Sequence, residues 1–172
     1  MKQVLLMRHA KSSWEHADLD DFVRPLANRG LKDAPMMGSF IRKIKYKPAA
    51  VFSSPAERAK QTTQLSMEIA KVNEEDIFWK KELYFGGVSD YIKIIQNAPD
   101  EHERILLVGH NPLMENTATL LAGGRSEVAI RMPTAALVCL ESFAERWESI
   151  TPGTCQVKWM TIPKVLKKIM DR

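Results

Sequence analysis

Four side chains in this sequence have the chemistry to handle a phosphoryl group, and they stand at similar places along the chain. Arg8 and His9 directly follow the apolar run VLLM, Arg58 lies shortly after AVF, and His110 follows ILLVG. A neutral imidazole can attack phosphorus, whereas arginine guanidiniums fit phosphoryl oxygens in both geometry and charge. If the four meet, one imidazole would take up the phosphoryl group as a phosphohistidine, which water would hydrolyse. The second imidazole and the arginines would hold its oxygens.

This prediction depends on repetition rather than on any single residue. A lone histidine after a strand is more often a turn residue than a catalyst, and a lone arginine is usually a surface charge. Here the same arrangement recurs after separate apolar runs. The sequence has no G-x-x-x-x-G-K-[ST] loop, no G-x-G-x-x-G turn and no G-x-S-x-G elbow, so none of those site types competes with this one.

The expected chemistry requires no metal and no cofactor, and the sequence offers no ligand cluster for a metal. The two cysteines, Cys139 and Cys155, stand in apolar surroundings and are predicted to be buried thiols. Two such residues do not make a disulfide framework, so a reducing cytoplasm is the expected location.

Alternating apolar and amphipathic segments predict the elements that would bring these side chains together. Short apolar runs with polar borders predict strands at residues 4–7, 49–52, 105–108, 136–140 and 157–162. Strands that alternate with helices favour a layered α/β domain with a largely parallel sheet. Ligands of such sheets gather at the carboxyl ends of the strands, beside helix N-termini, so His9, Arg58 and His110 are expected to converge there.

Two helices are predicted on either side of the second strand. Residues 31–44 have helical spacing of apolar positions, and Pro35 is expected to start or kink that helix. After the strand, Ser54 is predicted as an N-cap in a capping box with Glu57, and Pro55 as the first helical residue. This second helix would carry Arg58 about one turn from its start, where the guanidinium can lean over the N-terminus.

The length of 172 residues predicts a single domain, residues 1–172, with a sizeable core. A composition of 45% hydrophobic and 27% charged residues argues against disorder. No apolar stretch is long enough to span a bilayer, and the start lacks a signal-peptide apolar region, so no membrane association is expected. The sequence does not indicate an oligomeric state.

The formal charge of +4 and the pI near 9.1 are only mildly basic. Most lysines and arginines are scattered, and the one local group lies at the C-terminus: Lys164, Lys167, Lys168 and Arg172. Its spacing predicts the solvated face of a last helix, with apolar residues opposite. Nucleic acid is therefore not an expected partner.

The segments LLMRHAKSSW, SSPAERAKQT and LVGHNP together resemble the histidine phosphatase superfamily, which includes the phosphoglycerate mutases. The short length, RPLANRG at 24–30, VGHNP and PTAA at 133–136 are similar to the SixA branch of phosphohistidine phosphatases. The resemblance covers nearly the whole chain and implies an α/β three-layer sandwich, with a largely parallel central sheet flanked by helices. Ala10 replaces the family's glycine after R-H, and Ala27 replaces a threonine, which would remove a helix cap.

Matched motif by motif, the resemblance implies that His9 is the nucleophile and becomes phosphorylated. It implies that Arg8, Arg58 and His110 complete the phosphate pocket. Ser12 occupies the family's serine position, and would either hydrogen-bond the phosphate or cap a turn.

Two further residues are open candidates. Arg24 precedes a proline-led segment and is either part of the pocket rim or a surface arginine. Glu82, in KKELYFGG, is either the acid that protonates a leaving oxygen or an exposed charge. An alkoxide leaves badly without such an acid, whereas a protonated imidazole leaves readily.

The identity of the leaving group decides between the candidate substrates. Only modest segments separate Arg58 from His110, which favours an open site that admits a phosphorylated side chain of another protein. The leading hypothesis is therefore a metal-independent phosphatase acting on phosphohistidine in phosphorelay or phosphotransfer proteins, within signal transduction. The alternatives are a small-molecule phosphomonoesterase acting on sugar phosphates, a mutase, and a phosphate-sensing binding module without turnover.

Overall fold

A six-stranded sheet forms the centre of the fold, with helices packed on both of its faces. The structure, a computed structural model, describes residues 1–15, 18–124 and 129–170. The strands are β1 (Lys2–Arg8), β2 (Ala50–Ser53), β3 (Ile77–Trp79), β4 (Arg104–Gly109), β5 (Leu137–Ser142) and β6 (Gln156–Thr161). The helices are α1 (Asn28–Lys43), α2 (Glu57–Ala70), α3 (Glu82–Phe85), α4 (Val88–Gln96), α5 (Leu113–Leu121) and α6 (Pro163–Met170). Short 3-10 turns lie at Asp21–Val23, Glu74–Asp76 and Trp147–Ser149.

The strands follow the order β3-β2-β4-β1-β5-β6 across the sheet. β1 pairs in parallel with β4, and β2 pairs in parallel with both β3 and β4. β5 runs antiparallel to its neighbours β1 and β6. The sheet is thus largely parallel, which confirms the predicted three-layer α/β sandwich. The sequence analysis missed β3, because this three-residue edge strand leaves Phe78 and Trp79 partly exposed and gives no buried apolar run.

Alternate residues of β1 face the two helical layers. Val4 and Leu6 join the core on the side of α4 and α5, whereas Leu5 and Met7 join the core on the side of α1 and α2. All four are almost completely buried. A slip of one residue would turn each apolar side chain to the wrong layer, so the packing fixes where β1 ends and where Arg8 lies.

The register of the parallel strands aligns the residues that follow them. Arg8 pairs with Gly109, and the next residue, His9, donates its main-chain N–H to the carbonyl oxygen of Gly109 at 3.0 Å. Beyond β2, the main-chain N–H of Ser54 donates to the carbonyl oxygen of Val108 at 3.0 Å. The first residues after β1, β2 and β4 therefore lie side by side at one edge of the sheet.

Helix α1 starts earlier than predicted and does not begin at Pro35. It begins at Asn28 and contains Pro35 in its interior. A proline there lacks the N–H that would bond the carbonyl of Leu31, so packing must compensate for the lost bond. That packing is close: a Cβ on Gly38 would lie 2.0 Å from the main-chain oxygen of Ser66 in α2, which only a glycine permits.

The start of α1 also bears on Ala27, the residue at which a helix cap was expected to be lost. Ala27 is the N-cap of α1 and makes no side-chain capping hydrogen bond, as predicted. A serine or threonine at an N-cap contributes about 1 kcal/mol more than alanine.

The capping box predicted at the start of α2 does not form. The helix begins at Glu57, its N-cap is Ala56, and neither Ser54 nor Pro55 is helical. The hydroxyl of Ser54 accepts the main-chain N–H of Ala56 at 3.2 Å and lies against a histidine instead. Ser54 therefore makes a tertiary contact, although its local sequence is typical of a helix N-cap.

The C-terminal basic group is only partly a solvated face. Lys167 of α6 donates to the carboxylate of the fully buried Asp33 at 2.7 Å, which ties the last helix to α1. Leu166 is buried as expected, but Val165 and Ile169 are exposed, and Arg172 lies outside the described residues. Across the described ranges, no helix is long and apolar enough to cross a membrane.

Candidate active site

His9 and His110 come together at the carboxyl edge of the sheet. Their ring centroids lie 5.0 Å apart, and the two ring planes are tilted by 52°. Both residues are buried, with exposed fractions of 7% and 9%. The pairing follows from the register, because each histidine is the first residue beyond its strand and β1 lies next to β4.

The main chain fixes the protonation pattern of His9. Its Nδ1 lies 2.7 Å from the carbonyl oxygen of Ala10, so Nδ1 carries the hydrogen and donates it. Ala10 is itself held in place, since its main-chain N–H donates to the hydroxyl of Thr62 in α2 at 3.0 Å. In the neutral ring the lone pair must then be on Nε2. The contact thus answers a question that the sequence leaves open, namely which ring nitrogen of His9 has a free lone pair.

Burial keeps both histidines uncharged at neutral pH. Desolvation is the largest cause of the lowered pKa of His9; together with the proximity of His110 and the charges of Arg58 and Arg8, it brings that pKa to about 3, although the hydrogen bond to Ala10 acts in the opposite direction. Desolvation also lowers the pKa of His110 to about 3, helped by Arg58, Arg8 and Arg24. A neutral imidazole is the form that can act as a nucleophile.

His110 is oriented by groups from two other segments. Its Nε2 lies 2.8 Å from the hydroxyl oxygen of Ser54, the first residue beyond β2. The ring of Tyr84, from α3, meets its ring edge-on with centroids 5.3 Å apart. Neither partner was identified as part of the site from the sequence.

Two of the predicted arginines are anchored around the histidine pair. Arg8 donates from Nη1 to the carbonyl oxygen of Met132 at 3.0 Å. Arg58 donates from Nη1 to the main-chain oxygen of Asp21 at 2.6 Å and from Nη2 to its carboxylate at 2.8 Å. Both guanidiniums are close enough to both histidines to lower their pKa values.

Arg24 belongs to the same cluster rather than to the open surface. Its Nη2 lies 3.1 Å from the carboxylate of Asp21, and only 11% of its side chain is exposed. Its guanidinium also stacks over the ring of Trp14, 3.6 Å from the centroid. The structure thus places Arg24 at the rim of the site, the first of the two positions that the sequence allowed.

Asp21 was missed by the sequence analysis, although it contacts three residues of the site. Its carboxylate contacts Arg58, Arg24 and Tyr84, whose hydroxyl donates to it at 2.8 Å. Partial burial raises the pKa of Asp21, but the hydrogen bonds from Tyr84 and Arg58 outweigh this and bring it below its ordinary value. The only sequence signal was its spacing of three residues from Arg24.

Each arginine of the cluster retains donors that the protein does not use. A guanidinium has five N–H donors, and within the described residues no acceptor binds the buried Nε of Arg8, Arg24 or Arg58. Leaving buried donors unpaired costs about 1–3 kcal/mol each. The cluster is therefore suited to an anion with several acceptor oxygens.

Ser12 and Glu82 lie in different surroundings. Ser12 is buried and pairs with Leu26 as an isolated β-bridge, which holds the segment after His9 against the segment before α1. Glu82 is exposed and lines a groove of about 310 Å³ together with Lys80, Lys93 and other residues. The groove that Glu82 lines includes neither histidine of the pair, whereas Tyr84 of the same short helix contacts His110.

Four aromatic side chains, which we call the aromatic collar, surround this site: Trp14, Phe22, Tyr84 and Phe85. Tyr84 contacts Phe22 and Phe85 with ring centroids 5.0 and 4.7 Å away, and it links them to His110. Trp14 and Phe85 are 70% and 72% exposed. Large apolar side chains of this exposure beside a site are typical of a surface that meets another molecule.

The described part of the chain contains no group of three or more histidine, cysteine or acidic residues placed to hold a metal ion. Cys139 and Cys155 are both buried, and desolvation raises the pKa of each thiol. These thiols are therefore protonated and unreactive at neutral pH.

Comparison with known proteins identifies the family. Residues 4–88 match the family model described as the histidine phosphatase superfamily, branch 1. A Mycobacterium tuberculosis protein of uncharacterized function is 30% identical over 92% of this chain and all of its own length. The chain belongs to the histidine phosphatase superfamily, which confirms the family resemblance seen in the sequence.

Within that superfamily, the chain is similar to two solved structures of SixA proteins. A candidate phosphohistidine phosphatase SixA from Agrobacterium tumefaciens is 27% identical, with a TM-score of 0.79 over 94% of this chain and 98% of its own. The protein histidine phosphatase SixA, solved with tungstate, is 24% identical, with a TM-score of 0.81 over 95% of this chain and 99% of its own. The similarity to this second structure shows that the two proteins share a fold.

Proposed function

We propose that this protein hydrolyses phosphohistidine on other proteins, transferring the phosphoryl group first to His9 and then to water. Membership of the histidine phosphatase superfamily and the similar solved structures support phosphatase activity. The residues around His9 support the choice of mechanism and substrate within that activity.

The observation that carries the proposal is the hydrogen bond from His9 Nδ1 to the carbonyl oxygen of Ala10. It leaves a lone pair on Nε2, in a ring whose pKa of about 3 keeps it neutral. A nucleophile that is already unprotonated needs no separate base. His9 can therefore attack phosphorus without a metal ion or a second residue to remove a proton.

The phosphoryl oxygens would be held by the groups around the nucleophile. Arg8 and Arg58 supply positive charge near His9 and have unused N–H donors. His110, with Ser54 behind it, adds hydrogen-bonding capacity beside the attacking ring. Such fixed donors stabilise the charge that develops on a transferring phosphoryl group, which is the main contribution a protein makes to this reaction.

The reaction then proceeds in two displacements. In the first, the Nε2 lone pair forms a bond to phosphorus as the substrate's phosphorus–nitrogen bond breaks, and the electron pair of that bond goes to the departing imidazole, which leaves with one proton. In the second, water attacks the phosphorus on His9 and the bond to Nε2 breaks. The electron pair of that bond returns to Nε2, which restores neutral His9, and the protons of the water leave with inorganic phosphate.

The acid–base properties of the site favour imidazole over an alkoxide as the leaving group. Asp21 contacts Arg58, Arg24 and Tyr84, and its lowered pKa keeps it ionised at neutral pH, so it is a poor proton donor. Glu82 lies in a separate groove. Phosphohistidine needs no strong acid at the site, because the imidazole can already carry its proton when the phosphorus–nitrogen bond breaks.

The surroundings of the site favour a macromolecular substrate. The exposed rings of Trp14 and Phe85 offer apolar surface that a small, charged sugar phosphate would not cover. The two SixA proteins with this fold are described as phosphohistidine or protein histidine phosphatases, and one was solved with tungstate, a tetrahedral oxyanion like phosphate. These similarities favour the same substrate class here.

The test measures phosphate release from two kinds of substrate. The protein is incubated with a phosphohistidine-bearing phosphotransfer domain and, separately, with sugar phosphates. We expect release from the domain that is lost in His9→Ala and retained in the matched control His102→Ala, since His102 lies before β4 and contacts Lys2, at the amino ends of the strands. Release from sugar phosphates alone, or equal rates for His9→Ala and the parent protein, would contradict the proposal.

A further inference from the structure

Asp21 binds two arginines of the site, Arg58 and Arg24. Its main-chain oxygen and one carboxylate oxygen accept from both terminal nitrogens of Arg58, at 2.6 and 2.8 Å. The other carboxylate oxygen lies 3.1 Å from Nη2 of Arg24. The hydroxyl of Tyr84 donates to the same oxygen as Arg58, at 2.8 Å. One residue thus joins α2, α3 and the segment before α1.

We propose that Asp21 is a positioning residue that orients Arg58 and Arg24 to receive the phosphoryl group. The inference rests on the proposed function only in placing that group beside His9. It adds a residue that touches neither the nucleophile nor the transferred group and acts through two guanidiniums.

Two acceptors on Asp21, one from the main chain and one from the side chain, determine both the place and the plane of the Arg58 guanidinium. An arginine side chain with several rotatable bonds would otherwise lose much rotamer entropy on binding a ligand. Fixing it beforehand removes that cost from the binding step.

The turn that carries Asp21 is itself held in place. The carboxylate of Asp20 accepts the main-chain N–H of Phe22 at 2.8 Å, and the main-chain oxygen of Asp20 accepts the N–H of Val23 at 3.1 Å. The main-chain N–H of Arg24 donates to the carbonyl oxygen of Asp21 at 3.4 Å. The acceptors offered to Arg58 are therefore parts of a closed 3-10 turn rather than of a free loop.

Asp21 leaves N–H donors free on the arginines that it holds. Each terminal nitrogen of Arg58 carries two hydrogens, and Asp21 accepts one from each. The carboxylate is in turn neutralised by two guanidiniums and a hydroxyl, which limits its repulsion of an incoming anion. The opposite role, in which Asp21 competes with phosphate for the arginines, predicts the opposite effect of its removal.

The experiment uses tungstate as the probe and measures its dissociation constant by calorimetry, without any substrate. Asp21→Asn keeps the size of the side chain but removes its charge and one of its acceptor oxygens. We expect it to weaken tungstate binding about tenfold, the scale expected when a preorganised charged contact is lost. The matched control is Asp20→Asn, which removes the same charge one residue away and keeps the cap on Phe22, and should change the constant by less than about twofold.

A second comparison separates positioning from general structural support. In a background carrying both Arg24→Ala and Arg58→Ala, Asp21→Asn should have no further effect on tungstate binding, because its effect passes through those two side chains. Binding that is unchanged or tighter in Asp21→Asn would overturn the inference, as would an equal loss in both backgrounds. Neither result would change the outcome of the phosphohistidine experiment above, so the role of Asp21 and the proposed function can fail separately.

Discussion

The hydroxyl oxygen of Ser54 lies 2.8 Å from Nε2 of His110, and this contact joins the ends of two neighbouring strands. Ser54 follows β2 and His110 follows β4, so the pair forms only when the strands are parallel and in this register. The same hydroxyl accepts the main-chain N–H of Ala56 at 3.2 Å. A side chain with the local signal of a helix cap therefore orients an imidazole of the site.

Removing this hydroxyl should impair catalysis more than folding. In Ser54→Ala, Nε2 of His110 loses its partner, and we expect kcat/KM for a phosphohistidine domain to fall about tenfold, the equivalent of one hydrogen bond of about 1.4 kcal/mol. Ser89→Ala, at an exposed position of α4, is the control. Equal kcat/KM values for Ser54→Ala and the parent would show that the contact does not matter for the reaction.

Phe85, the most exposed ring of the aromatic collar, should matter mainly for substrates large enough to reach it. We expect Phe85→Ala to raise KM for a phosphohistidine domain about tenfold while leaving hydrolysis of phosphoramidate, a small phosphorus–nitrogen compound, nearly unchanged. Phe143→Ala is the control, because Phe143 is 75% exposed and is not part of the collar. Equal effects on both substrates would contradict a docking role.

Glu82 provides a direct test of the leaving-group argument. Its carboxylate lies in a groove with Lys80 and Lys93, apart from the histidine pair, so Glu82→Gln should change kcat for phosphohistidine by less than about twofold. A loss of about a hundredfold or more, the scale of a missing general acid, would show that Glu82 reaches the reacting atoms after all.

The buried histidines should make the folded protein less stable in acid. Both have folded-state pKa values of about 3, whereas an unfolded histidine titrates near 6.5, so below that value the unfolded chain binds more protons. Stability is therefore full above about pH 6.5 and falls as the pH drops, by about 2 kcal/mol for each histidine at about pH 5. Urea unfolding at these two pH values measures the difference.

The variant His9→Asn isolates one of these contributions. Its free energy of unfolding should fall by about 2 kcal/mol less than that of the parent between about pH 8 and about pH 5. If both proteins show the same pH dependence, His9 is not held neutral by the fold.

The sequence predicted the parts of the site that follow directly from strand ends. Arg8, His9 and His110 each stand at the end of a buried apolar run, and parallel pairing brings such ends together regardless of sequence distance. Arg58 was predicted from its place near the start of a helix. These features are local in the sequence, which is why they could be recognised.

The contacts that were missed depend on how separate segments pack. Asp21 contacts Arg58 and Tyr84, which lie 37 and 63 residues away in the sequence, and no periodicity relates these positions. The starts of α1 and α2 differ from the prediction for a related reason. In α1, packing against α2 at Gly38 outweighs the helix-start signal of Pro35, and before α2 the hydroxyl of Ser54 contacts His110. Tertiary contacts decided these positions, and propensity alone could not reveal them.

The most direct test of the mechanism is to trap and locate the covalent intermediate. The protein is mixed with a phosphohistidine domain carrying labelled phosphate, quenched rapidly in alkali, in which phosphohistidine survives, and digested to locate the label. We expect transient label on His9 with the phosphorus bound to Nε2, because Nδ1 is held by the carbonyl of Ala10. Label on another residue, or full turnover with no label on His9 at any time, would contradict the mechanism.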